Sequence, residues 1–203
     1  MTQVLLIRPG ATVYDEQNRV QGILDVPLSD RGRAEVAELA DRLAGNGVAI
    51  GALYCGPGES VVRTAETVAR ALGLRVRRLE ELRNLDQGLW QGLQIDEIRR
   101  RNLKLFRQWQ EDPRTVCPPL GETVESAQAR IASALKPILK KHRDEAIGLV
   151  VAEPIARLVS CFLRRDANVQ LLDPVPTGDF ERIEVVTEVG HNGAPPRPGS
   201  APP

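Results

Sequence analysis

The spacing of apolar and polar positions changes repeatedly along the chain, and each change marks an element. Val4 to Ile7 form an unbroken apolar run, as expected of a strand covered on both faces. Residues 8 to 28 are mostly polar and predict a long loop. Ser29 or Asp30 then offers a helix N-cap, Val36, Leu39, Ala40 and Leu43 repeat at i, i+3, i+4 and i+7, and Gly45 ends that helix. "IGALYC" at 50–55 predicts a second strand, residues 60–72 a helix stopped by Gly73, and "LRVRRLE" a third strand. Residues 92–112 read as helical and "PRTVCPPLGET" as a loop. Thr123 caps a long helix that turns Ala127, Ile131, Leu135 and Ile138 inward, with a kink expected at Pro137. "AIGLVVAE" is the most apolar strand and is expected at the centre of the sheet. A helix follows with Pro154 in its first turn, and "DFERIEVVTEV" alternates as an edge strand should.

Alternating strands and helices predict an α/β fold with a largely parallel sheet. No internal repeat and no second core are visible. Residues 1–189 are expected to form one domain, and the Pro/Gly-rich residues 190–203 a disordered tail.

Composition narrows the functional classes. With 27 acidic and 27 basic side chains in 203 residues, no global field draws the chain to nucleic acid or anionic lipid. Three Phe, two Tyr and two Trp are too few for a base-stacking platform. No apolar stretch approaches the roughly 20 residues of a membrane span, and the N-terminus enters a strand with no signal-peptide pattern. Cys55, Cys117 and Cys161 are widely spaced without a CxxC pair, which argues against a disulfide framework or a zinc site and fits the cytoplasm. Two histidines are too few for a His-based metal centre, so no metal and no cofactor are expected. A cysteine phosphatase loop needs Arg six residues after its Cys, and Val61 and Thr123 stand there instead. "GPGES" lacks the Gly-Lys-Ser/Thr end of a P-loop.

Six short strings, in order, carry a family resemblance. They are "LLIRPGAT", "RVQGILDVPLSDRG", "LYCGPGESVVRTAETVARALGL", "LRNLDQGLWQG", "PPLGET" and "GLVVAEPIARLV". Across about residues 3–190 the chain resembles the histidine phosphatase superfamily, in its phosphoglycerate-mutase-like branch. The resemblance implies a three-layer α/β sandwich, a mostly parallel central sheet with helices on both faces and an antiparallel edge strand. It also implies a site in which one His becomes phosphorylated, two Arg and a second His surround the phosphoryl group, and a Glu protonates the leaving group.

Position by position, one member of that set is kept, Arg8. Pro9 stands in the nucleophile's place, Ser60 in that of the second Arg, Asn84 in that of the acid and Glu153 in that of the second His, followed by Pro154. Asp15 stands where many members have Asn. The expected ligand cleft is Arg8, Asp15, Gln21 and Glu153. One cation and two carboxylates are expected there, so phosphate binding should be weak or absent, with Glu153 paired to Arg8 in its stead. His142 is expected in an exposed turn away from the cleft, and His191 in the tail. The expected function is that of an inactive pseudoenzyme, a binding or regulatory module acting through a protein partner or a homodimer. Changed chemistry on Arg8, Asp15 and Glu153, or residual phosphatase or mutase activity, are the alternatives.

Overall fold

The computed structural model describes residues 1–45, 47, 49–101, 103–166 and 175–185. The expected domain boundary at 189, the tail at 190–203 and His191 lie outside the described residues.

Five strands form one sheet: β1 (Thr2–Ile7), β2 (Ile50–Cys55), β3 (Val76–Arg78), β4 (Ala146–Val150) and β5 (Phe180–Val185), in the order β3-β2-β4-β1-β5. β4 occupies the middle and pairs in parallel with both β1 and β2. β3 extends the parallel set, and β5 closes the other edge antiparallel to β1. The centre and the edge strand thus follow the expectation from their apolar and alternating patterns.

Strand side chains alternate between two cores. Val4 and Leu6 of β1, with Tyr54, Ile147 and Leu149, pack against α6 (Val124–Lys141) and α7 (Ile155–Arg164). Leu5 and Ile7, with Leu53 and Cys55, pack on the opposite face against α2 (Asp30–Gly45) and α3 (Glu59–Leu72). Ala127, Ile131, Leu135 and Ile138 of α6 all turn inward as their spacing requires. The helix runs past Pro137 to Lys141 although that residue has no N–H to donate to Ser133.

Several boundaries differ from the sequence reading. The loop at 8–28 contains a short helix, α1 (Val13–Glu16), held by a capping box in which the Thr12 hydroxyl accepts from the Asp15 backbone and the Asp15 carboxylate accepts from the Thr12 backbone. The third strand keeps only three residues, Val76–Arg78, which pair with Leu53–Cys55 of β2. The helical stretch at 92–112 divides into α4 (Ile95–Arg101) and α5 (Leu103–Glu111). These two helices, with the turn at Trp90, build a small third cluster of Trp90, Ile98, Phe106, Trp109 and Val116. No second core was expected. Its apolar residues are divided among three short segments, so no single amphipathic stretch announces it. Pro154 precedes α7 as its N-cap residue instead of lying in the first turn.

Candidate functional site

β1 and β4 are neighbours, yet α2 follows β1 onto one face of the sheet and α7 follows β4 onto the other. Where adjacent parallel strands send their helices to opposite faces, a crevice opens at their carboxyl ends. Arg8-Pro9-Gly10 leaves β1 there, and Ala152-Glu153-Pro154 leaves β4. Both segments line a cleft of about 310 Å³.

The β1 loop is fixed from several sides. Arg8 N–H donates to the Asp179 carbonyl at 2.8 Å, and the Pro9 carbonyl accepts from Gly178 N at 2.8 Å. Ala11 N–H donates to Glu35 Oε2 at 2.9 Å, and the Ala11 carbonyl accepts from Ser29 N at 2.9 Å. Ser29 Oγ caps α2 by accepting from Gly32 N at 3.0 Å. Gly10 and Gly32 meet backbone to backbone: a Cβ on Gly32 would lie 1.9 Å from the Ala11 carbonyl oxygen.

Arg8 is 9% exposed, and two of its three guanidinium nitrogens donate to carboxylates. Nε donates to Glu153 Oε1 at 2.7 Å and the terminal NH2 nitrogen to Glu181 Oε1 at 2.9 Å. The pair expected with Glu153 is formed, and Glu181 adds a second carboxylate. The chain of charges continues outward. Arg164 donates to Glu181 Oε2 at 2.9 Å, and Arg157 Nε lies 3.6 Å from Glu153 Oε2. Five charges therefore alternate in sign from Arg157 through Glu153, Arg8 and Glu181 to Arg164. Burial works against the Arg8 charge, but Glu153 and Glu181 outweigh it and hold its pKa above the ordinary value. Burial likewise pushes the Glu181 carboxyl upward, and hydrogen bonds from Arg164 and Arg8 more than reverse this, leaving it below the usual carboxylate range.

The other expected site residues separate into two groups. Pro9, Asp15 and Gln21 line the cleft with Arg8 and Glu153. Asp15 does not bear on Arg8, however. One oxygen of its carboxylate accepts from both the Thr12 backbone and the Thr12 hydroxyl, each at 2.6 Å. Gln21 Nε2 donates to the Leu24 carbonyl at 3.3 Å. Ser60 and Asn84 lie outside the cleft lining. Ser60 is fully buried in the first turn of α3, where its carbonyl accepts from Thr64 Oγ1. Asn84 turns its side-chain oxygen to the following Leu85 N–H, and its carbonyl is gripped by Arg130. Arg130 is itself held by Glu122 through two hydrogen bonds at 2.8 Å, so Glu122 pins the 81–84 turn onto α6.

The expected charge count needs correction. Arg19 and Arg157 join Arg8 in the lining, so three arginines share it with Asp15 and Glu153, the Arg19 guanidinium donating to Gln17 and to the Gly92 carbonyl. Arg157 lies one helical turn after Glu153, a spacing visible in the sequence. Arg19 belongs to the "RVQG" string. Glu181 carried no signal, because only the pairing of β5 with β1 brings it beside Arg8.

His142 is buried, not exposed. Its ring nitrogens meet Tyr54 Oη at 2.9 Å and Glu145 at 2.6 Å, at the amino end of β4 and so at the opposite end of the sheet from the cleft. Cys55 is buried in the sheet core, and burial pushes its thiol up to about 11, with Arg78 and Glu66 acting in opposite directions. Among the described residues no group of three or more His, Cys, Asp or Glu side chains converges on a metal position, and no helix is long and apolar enough to cross a membrane.

This framework has known counterparts. Phosphoserine phosphatase 1 of Hydrogenobacter thermophilus is 28% identical over 163 residues, 80% of this chain and 76% of that one. Phosphoglycerate mutase-like protein 4 of Arabidopsis thaliana is 29% identical over 203 residues, covering 93% of this chain and 86% of its own length. Among solved structures, Bacillus stearothermophilus YhfR superposes with a TM-score of 0.82 at 26% identity, over 95% of this chain and 97% of its own. The family model for the histidine phosphatase superfamily, branch 1, matches residues 4–174. The chain belongs to that superfamily.

Proposed function

We propose that this chain has lost phosphotransfer and serves as a binding or regulatory module in the cytoplasm, acting through a protein partner or a second copy of itself. The observation that carries the reading is the state of Arg8. Its guanidinium already holds the Glu153 and Glu181 carboxylates through Nε and one terminal nitrogen, donors that a phosphoryl group on the same edge would have to take from them. Displacing them would break two charge-assisted hydrogen bonds of a nearly buried cation, which is costly. The adjacent Pro9 has no side-chain atom that can attack phosphorus. The one described histidine, His142, is committed to Tyr54 and Glu145 at the far end of β4.

Two relatives carry phosphatase or mutase names, so retained activity is the reading to test against. A changed chemistry built on Asp15 and Glu153 gains no support from the geometry, since Asp15 caps α1 and Glu153 neutralises Arg8.

Purified full-length chain, incubated with p-nitrophenyl phosphate, phosphoserine and 3-phosphoglycerate, is expected to give no turnover above the protein-free background. Pro9→His combined with Glu153→His is expected to stay near background too. Glu181 still holds Arg8 in that variant, and Ser60 and Asn84 supply neither the second Arg nor the acid. Turnover by the unmodified chain that Arg8→Ala abolishes would overturn the proposal.

A further inference from the structure

The geometry points to a neutral, hydroxyl-rich molecule, a small sugar or polyol without phosphate, as the ligand of the cleft. This rests on the preceding reading that no phosphoryl group docks on Arg8, and it adds a ligand class to it.

Two orphaned acceptors carry the inference. Gln87 is 3% exposed, lines the cleft, and its Oε1 accepts no hydrogen bond. Glu153 lines the same cleft, and its Oε2 is buried without a hydrogen bond, with Arg157 Nε still 3.6 Å away. Buried acceptors are ordinarily satisfied, and two in one wall mark a place where donors are missing. Neither oxygen touches solvent, so water does not satisfy them where they stand. A turn of the Gln87 carboxamide, or a shift of Glu153 that keeps Oε1 on Arg8, presents each to a donor in the cleft.

The surrounding charges select the kind of donor. An ammonium ligand would meet the guanidinium groups of Arg8, Arg19 and Arg157. A phosphate would compete with Glu153 for Arg8 and face Asp15. A hydroxyl group donates and accepts at once. It can give its hydrogen to Gln87 or Glu153 and take one from a guanidinium, without bringing a net charge to either. Trp109, in the same wall, adds an apolar surface for the C–H face of a sugar ring. A volume of about 310 Å³ is at the small end for ligand clefts and matches a six-carbon sugar.

The test is isothermal titration of the full-length chain with D-glucose and mannitol, with inorganic phosphate, spermidine and L-serine as counter-probes. Saturable binding of glucose or mannitol is expected, with none of the three counter-probes bound more tightly. Gln87→Met, which keeps the side-chain length and removes the acceptor, should weaken that binding about tenfold or more, the loss of one hydrogen bond. Near-ultraviolet circular dichroism checks that the variant is folded. If it is not, competition between mannitol and glucose on the unmodified chain decides, and simultaneous binding without competition counts against a single cleft site. Absence of sugar and polyol binding, tighter binding of a counter-probe, or a folded Gln87→Met variant with unchanged affinity overturns this inference. Failure with no phosphoester turnover leaves the preceding reading standing, whereas turnover defeats that reading independently.

Discussion

Arg8 and Glu181 set the behaviour of the site at the residue level. Glu181 joins two guanidinium groups from different elements, one at the end of β1 and one in the last turn of α7. Its folded pKa is depressed, and so is that of Glu122 beneath Arg130 and Arg83. The sign follows from linkage: a carboxyl with a lower pKa folded than unfolded contributes stability above its unfolded pKa, about 4.3, and loses it as pH falls through the folded value. Thermal unfolding midpoints should therefore drop as pH is lowered from about 5 to about 3. Glu181→Gln should make that drop shallower without removing it, because Glu122 continues to titrate. Superimposable pH profiles for the two proteins would mean that Glu181 is not coupled to the folded charge chain. That Pro9 has no nucleophilic side-chain atom was legible from its identity alone. The partners of Arg8 were only half legible, because Glu153 aligned with a family position and Glu181 did not.

At the level of elements, the apolar periodicities located every strand and the long helices, because burial of one face is what those patterns encode. They failed where side chains do other work. Asp15 lines the cleft as expected, but its oxygen also closes the capping box of a four-residue helix that the polar loop concealed. The contact of the β1 loop with the first turn of α2 was likewise silent, being made by two glycines. Gly32→Ala would push a methyl group against the Ala11 carbonyl, 1.9 Å away, and must move the loop that carries Pro9 and Gly10. Such overpacking should cost about 1–3 kcal/mol in urea unfolding. Gly45→Ala, at the end of the same helix, meets nothing within 4 Å and should change stability by less than about 1 kcal/mol. Equal effects at the two positions would refute the close packing of loop on helix.

Taken as one molecule, the fold presents a crevice at the carboxyl ends of β1 and β4. The sheet order and the divergence of α2 and α7 still place the ends of β1 and β4 side by side, as an anion-binding member needs. That much was legible from six ordered strings and the strand–helix alternation. The occupants of the crevice were less so, because Gln87 and Trp109 reach it from segments distant in sequence. Fold and chemistry thus separate in this protein. The scaffold is kept by packing, while the charge of Arg8 is turned onto two acids. A crystal structure of the full chain grown in inorganic phosphate tests this most directly. It should show Arg8 still bonded to Glu153 and Glu181, with no phosphate on its guanidinium. A phosphate hydrogen-bonded to Arg8, with either carboxylate displaced, would contradict the account.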